Sequence, residues 1–305
     1  MGNLKEALLY LHDECNYSCE YCMLGGKFEK RKSLASSTDG FNKIVEFFNK
    51  HKGCHIFLTG GEPSVYEYFI ELAQELTKNN FIRLDTNNSF SEETLQRFIK
   101  EINPEKVDFI QCSLHEIDEE ETRLKEYIER VKRLQSRGFK CFISYVALPK
   151  RVNKIEELIR IMKKENIPFV VTPFRSPEYP KGYSKEERQE IYKFIYSATQ
   201  RALFEIDERK PKGKECSAGY SRVNINCING SIKKCWRSNE RIGNIYEGTL
   251  KLNNSIERCN IDSCTYTYET HLDLEELVCK DLHNVISCKE KYDENIYKEY
   301  IKRSL

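Results

Sequence analysis

Three cysteines, Cys15, Cys19 and Cys22, stand in the segment HDECNYSCEYCMLGG with three and then two residues between them. Three thiolates on one tight loop suit three irons of a [4Fe–4S] cube and leave its fourth iron open to a ligand. Gly25 and Gly26 let the chain turn away closely behind such a cluster. The spacing also suits zinc, which takes four cysteines or a Cys/His mixture, and His12 would complete that tetrahedral set. A second motif, LTGGEP (58–63), offers Gly60 and Gly61 for close backbone approach to a ligand and Glu62 to accept a hydrogen bond from an ammonium.

These motifs need elements to hold them. Short apolar runs predict strands at 7–12, 55–60, 81–86, 107–114, 139–148 and 167–174. Amphipathic stretches predict helices at 39–51, 65–79, 91–101, 117–137 and 153–165, and a longer helix from 184 to about 206. Alternation of this kind implies parallel βαβ crossovers and an α/β fold, a partial (β/α)6 TIM-type barrel with its site at the carboxyl ends of the strands. The stretch ERKPKGKE (208–215) is the best boundary, giving a barrel over 1–207 and a small cysteine-rich domain over 208–305. Within that second domain 222–236 reads as a β-hairpin turned at Asn229-Gly230. With little apolar periodicity, it is expected to lean on metal.

The chain has 305 residues, 13 cysteines and a net charge of +1 from 49 basic and 48 acidic side chains. A neutral total lacks the basic excess that phosphate binding calls for, so nucleic acid is not expected as a partner. No apolar run is long enough to span a bilayer, and the N-terminus lacks a signal-peptide pattern, which predicts a cytoplasmic protein. In a reducing compartment clustered cysteines point to metal or catalysis rather than disulfides.

Cys15-x3-Cys19-x-Tyr21-Cys22 resembles the signature of the radical S-adenosylmethionine (SAM) superfamily, and LTGGEP is similar to its glycine-rich motif. The resemblance covers roughly residues 5–175. It implies that the open iron is chelated by the amino and carboxylate groups of SAM. An electron from the reduced cluster would then cleave SAM to methionine and a 5′-deoxyadenosyl radical that abstracts hydrogen from substrate. It also implies Tyr21 along the adenine, and Thr86, Asn87 and Ser113 facing ribose or methionine. The stretch DTNNS (85–89) also fits a turn of residues that bond their own backbone.

Cys216, Gly230, Cys235, Cys259 and Cys264 resemble the auxiliary-cluster extension called SPASM, or its shorter relative Twitch. That resemblance implies that the four cysteines saturate one auxiliary [4Fe–4S] cluster; Cys279 and Cys288 do not match a second. A structural zinc is the competing occupant. Cys227 alternates with Val223 and Ile225, which fits a buried hydrophobe; the sharper role is a thiol returning hydrogen to a substrate radical, as an epimerase requires. Cys54, Cys112 and Cys141 fit core positions. His115, with Glu116, ends the fourth strand and is a candidate base or substrate ligand; Arg175 and Tyr179 would line the rim.

The expected function is therefore an oxidoreductase or epimerase attacking an unactivated C–H bond of a peptide or small metabolite, by oxidation, cross-linking or epimerisation. The alternatives are a zinc-stabilised binding protein and a radical SAM enzyme acting on a nucleotide or RNA. A flavodoxin- or ferredoxin-type electron donor is implied. With the first strand near residue 7, a peptide substrate calls for a separate recognition protein or for the barrel itself.

Overall fold

The computed structural model describes residues 3–22, 32–115, 120–206, 210–264, 272–287 and 292–304. Gly25, Gly26, Glu116, Cys288 and the expected boundary at 207–208 lie outside the described residues. In chain order, β1 (Glu6–Tyr10), α1 (Thr38–Lys50), β2 (His55–Thr59), α2 (Phe69–Asn79), β3 (Phe81–Thr86), α3 (Glu92–Glu101), β4 (Val107–Leu114) and α4 (Glu121–Ser136) alternate. Next come β5 (Cys141–Ala147), α5 (Ile155–Lys164), β6 (Phe169–Pro173), α6 (Lys185–Tyr192), α7 (Ala198–Ile206) and β7 (Glu215–Cys216). The chain continues with β8 (Arg222–Asn226), β9 (Ser231–Lys233), β10 (Arg241–Asn244), β11 (Thr249–Leu250), β12 (Glu257–Arg258), α8 (Leu272–Ile286) and α9 (Glu294–Ser304). The α/β class and the six-strand alternation are as the sequence predicts.

Two compact units emerge, one of residues 1–112, 120–140 and 217–257, the other of 113–119, 141–216 and 258–305. In the first, β1, β2, β3 and β4 run parallel in that order, with Leu9 opposite Leu58 and Leu84 opposite Ile110. Helix starts follow their caps: Ser37 accepts from the Gly40 amide at α1, and Ser91 from the Thr94 amide at α3. Helix α2 begins at Phe69 rather than the expected 65, because Pro63–Val65 forms a 3-10 turn capped by Glu62.

The expected hairpin is present, β8 pairing antiparallel with β9. The sequence did not reveal its other partner. β8 also runs parallel to β1, Glu6 opposite Arg222 and Tyr10 opposite Asn226, so the unit's strand order is β11-β10-β9-β8-β1-β2-β3-β4. One face of this sheet carries Leu9, Leu11, Leu58, Val223, Ile225 and Cys227, all fully buried. The opposite face carries Leu8, Tyr10, Thr59, Asn224 and Asn226, mostly half-buried and polar.

Near the amino ends of these strands the polar face holds a charge network. Arg83 bonds Glu6 at 3.2 Å and Asp108 at 2.9 Å, Arg222 pairs with Glu6, and His55 Nδ1 lies 2.6 Å from Asp108. Burial pushes the Asp108 carboxyl up, but His55 and Arg83 outweigh it and hold it below its ordinary 3.8. An acid held low in the fold stabilises above its unfolded pKa and loses that contribution as pH falls through the folded value. Denaturant midpoints are therefore expected to fall below about pH 4 in the wild type, and less steeply in Asp108→Asn. Identical slopes for both proteins would rule out this contribution.

The second unit pairs β5 with β6 in parallel, Ile143 opposite Phe169. The single helix expected over 184–206 is two, α6 and α7. The break has a distant cause: Asp281 on α8 caps α7. Its carboxylate accepts from the Ala198 amide at 2.7 Å, the Thr199 amide at 3.0 Å, and the Ser197 and Thr199 hydroxyls at 2.5 Å. A helix N-terminus is thus built in the middle of a helical sequence. The region after 215, expected to lack apolar periodicity, also carries α8 and α9, whose Leu277, Ile296 and Tyr300 pack with Ala198 and Ala202 of α7. Asp281→Ala strands four donors and is expected to destabilise this unit by roughly 2–4 kcal/mol, read as a lower melting temperature. Asp281→Asn keeps one good acceptor and should fall between; an unchanged melting temperature in the alanine variant would refute the capping role.

Candidate active site

Cys15, Cys19 and Cys22 follow β1 as half-buried thiols outside any disulfide, and the Cys22 amide donates to the Cys19 carbonyl at 3.1 Å. The loop is fastened to the LTGGEP loop by backbone hydrogen bonds. The ladder between β1 and β2 continues past both strands: Leu11 N to Thr59 O at 3.0 Å, Gly61 N to His12 O at 2.7 Å, Glu62 N to Glu14 O at 2.8 Å. A methyl at Gly61 would lie 2.0 Å from the Glu14 carbonyl oxygen, and one at Gly60, where φ is +147°, 2.7 Å from that of His12. The two glycines therefore make room for the cysteine loop itself, a closer partner than the ligand the sequence suggested.

Glu62 is 1% exposed. Its carboxylate accepts from the Thr86 hydroxyl at 2.6 Å, the Asn87 amide at 2.6 Å and the Ser64 amide at 3.0 Å. Burial pushes its pKa up while these donors oppose it. Glu62 so ties the loop after β2 to the loop after β3. Thr86 is buried with its hydroxyl committed to Glu62 and does not face open space. Asn87 reaches the cysteine loop: its Nδ2 donates to Asn16 Oδ1 at 2.9 Å and lies 3.9 Å from Cys15 Sγ. The self-bonded turn is also there, with Asn88 N donating to Thr86 Oγ1 and Ser89 N to Asn87 Oδ1, both at 3.0 Å. Asn16, which also bonds Ser89 Oγ at 2.8 Å, had no signal beyond following a cysteine.

The donor set fits an iron–sulfur cube. Cys15 Sγ accepts from the Tyr17 amide at 3.4 Å as well as from Asn87, the N–H···S contacts that steady a cluster thiolate. Burial, and then the charges of Glu62 and Cys22, push the Cys15 thiol up, so a positively charged metal core is what would ionise it. His12 does not fit as a fourth zinc ligand. Its Nδ1 accepts from the Glu14 amide at 3.0 Å, which leaves the proton on a buried Nε2 that has no partner among the described residues. Among the described residues no three His, Cys, Asp or Glu side chains are grouped to hold a single metal ion.

Tyr21 is half-buried beside Cys22. Ser113 and His115 belong to the second unit, and burial lowers the His115 pKa to about 4, leaving the imidazole neutral at pH 7. Cys227 is fully buried on the face of Val223 and Ile225, and burial drives its thiol far up. Cys54, Cys112 and Cys141 are buried in the core. Of the auxiliary set, Cys235 lies in the first unit and Cys216, Cys259 and Cys264 in the second. There the Cys259 amide donates to Lys214 O at 2.8 Å, setting it beside the β7 segment, and after burial the neighbouring Cys264 raises its thiol further. Cys279 is exposed on α8.

Solved structures share this fold. anSMEcpe with bound AdoMet aligns at a TM-score of 0.58 with 13% identity, covering 98% of this chain and 92% of that one. SuiB of Streptococcus suis bound to precursor peptide SuiA aligns at 0.55 with 17% identity, covering 99% and 67%. In sequence, a GTP 3',8-cyclase of Aquifex aeolicus is 30% identical over 159 residues, 48% of each chain, so the match spans about half of that relative. A putative glycyl-radical enzyme activating enzyme of Methanocaldococcus jannaschii is 24% identical over 185 residues, 56% of this chain and 69% of that one. The radical SAM superfamily profile matches residues 9–173, more than half of the chain, from β1 through the cysteine and LTGGEP loops to the end of β6. This chain belongs to the radical SAM superfamily.

Proposed function

We propose that the protein is a peptide-modifying radical SAM enzyme that abstracts hydrogen from an unactivated C–H bond and carries the substrate radical to an oxidised product. The observation that carries this is the three-loop clasp: the cysteine loop, the LTGGEP loop and the loop after β3 are held together by Gly61, Glu62 and Asn87. When bound, the cluster and SAM supply one-electron cleavage of the sulfonium. The chain's part is to hold and orient. Cys15, Cys19 and Cys22 would grip the cluster, Asn87 would steady Cys15, and Glu62 would keep Asn87 in place.

Two known peptide-bound complexes, SuiB with SuiA and anSMEcpe with the Cp18Cys peptide, share the fold at TM-scores of 0.55 and 0.53, which favours a peptide substrate here. The 30% identity to a GTP 3',8-cyclase favours a purine nucleotide instead and is the second reading. Oxidation suits the groups present better than epimerisation. Epimerisation would need a thiol such as Cys227 to return hydrogen, and that thiol is sealed in the core, whereas oxidation needs only an electron acceptor and release of a proton to solvent. Cys216, Cys235, Cys259 and Cys264 would hold an auxiliary cluster that takes the second electron, residues 208–305 forming its module, with a flavodoxin- or ferredoxin-type donor feeding the first cluster. No helix among the described residues is long and apolar enough to cross a membrane.

Anaerobic purification with iron and sulfide counts, then reduction with SAM, tests this directly. About eight irons per chain and release of 5′-deoxyadenosine are expected, and about four irons would remove the auxiliary cluster. A colourless, zinc-bearing protein would end the proposal. Stimulation of 5′-deoxyadenosine release by GTP, and not by peptides, would move it to the nucleotide reading.

A further inference from the structure

The chain has one tryptophan, Trp236, and it is 58% exposed. Tryptophan is large and mostly apolar, so an open indole is where a protein offers a flat surface to something else. The ring does not hang free. It lies 6.3 Å from the ring of Tyr10, tilted by 43°, and Tyr10 is buried with its hydroxyl donating to Asp13 at 2.8 Å. Asp13 is two residues from Cys15, and Trp236 directly follows Cys235. The indole therefore stands against a rigid wall at the carboxyl end of β1, beside the loop that carries the reactive cysteines.

A second observation on the same unit points to a ligand. Asn224 of β8 shares the half-buried polar face with Tyr10, two positions before Asn226, which is Tyr10's register partner. Its Oδ1 is buried and has no hydrogen-bond partner among the described residues, which is costly unless a donor arrives from outside. A flat apolar surface against Tyr10, with an unmet acceptor on the same sheet face, suits an aromatic side chain whose neighbouring backbone N–H can reach inward.

The charges speak for a peptide over a polyphosphate. Glu14 and Glu20 are exposed on the adjoining cysteine loop. Lys234, two residues before Trp236, is already held by Glu240 at 2.9 Å and Glu257 at 3.0 Å. Two further exposed apolar residues are Leu34, in the turn before α1, whose amide donates to the Ile228 carbonyl just past β8 at 3.2 Å, and Val65, in the turn after β2.

The geometry points to Trp236 as a specificity-determining residue that stacks on an aromatic side chain of the peptide substrate, with Asn224 receiving a donor from the same peptide. This rests on the peptide reading of the site. Because Trp236 is the only tryptophan, its emission reports on this position alone. The probes are the pentapeptides Ala-Ala-Phe-Ala-Ala and Ala-Ala-Ala-Ala-Ala, and GTP, each titrated into the anaerobically loaded protein. The Phe peptide is expected to shift Trp236 emission and shield it from acrylamide, and the others are not. By calorimetry, Trp236→Ala should weaken the Phe peptide about tenfold or more, and Trp236→Phe less. Equal binding of the Phe peptide by wild type and Trp236→Ala would overturn the role of Trp236 and leave the peptide reading standing. If wild type binds neither peptide while still cleaving SAM, both the peptide reading and this role fall. Shielding by GTP would also overturn the proposal.

Discussion

Gly61→Ala is expected to leave a folded protein that no longer loads its first cluster properly, with 5′-deoxyadenosine formation down about 100-fold or more. The added methyl would stand 2.0 Å from the Glu14 carbonyl oxygen and 2.7 Å from that of Asp13. Both obstacles are main chain, so neither can swing aside as a side chain would. Relief requires the two loops to part, which breaks the Gly61–His12 and Glu62–Glu14 bonds at 2.7 and 2.8 Å. Since Glu14 precedes Cys15, the displacement passes straight into the first cysteine. Iron content after anaerobic reconstitution, product release and far-UV circular dichroism together test this. Wild-type iron with a wild-type rate would show that the loops do not need their close contact.

Glu62→Ala should be damaging in a different way. The variant loses three acceptor contacts and leaves the Asn87 amide and the proton of the Thr86 hydroxyl buried without an acceptor. At about 1–3 kcal/mol for each stranded group, a loss of roughly 3 kcal/mol or more is expected, along with the fastening of Asn87 beside Cys15. Glu62→Gln is the informative companion. Donors approach both oxygens, Thr86 and Ser64 at Oε1 and Asn87 at Oε2, so either amide orientation sets an NH2 against a donor. The glutamine variant should therefore also lose stability and iron, though less than alanine. A glutamine variant with wild-type melting temperature and iron content would mean that the carboxyl is protonated in the fold.

What the sequence disclosed was set by local pattern. Cys15, Cys19, Cys22 and LTGGEP carry their chemistry in their own spacing, and the six strands announce themselves as apolar runs between amphipathic helices. The hairpin at Asn229-Gly230 was legible for the same reason, Gly230 taking φ +77°. Long-range choices were not. Nothing in RVNIN says that its free edge pairs with residues 6–10, more than 200 positions away. Asp281 gives no local hint that it will end one helix and start another between Tyr192 and Ala198. The C-terminal helices had a signal that the cysteines overshadowed: Ile296, Tyr297, Tyr300 and Ile301 recur at helical spacing. Glu62 shows the limit within the site itself. Its residue type suggested an ammonium ligand, while its surroundings, which only the fold supplies, make it a fastener between loops.

The parallel pairing of β8 with β1 means that the strand launching the reactive loop is not an outer strand. Its hydrogen-bonding groups are satisfied on one flank by residues 55–59 and on the other by residues 222–226. A fragment ending near position 207 would consequently leave Glu6–Tyr10 with a raw, adhesive border, open to any passing extended chain. Residues 222–226 are thus a structural brace for residues 6–10, and the two segments have to be expressed and engineered as one piece.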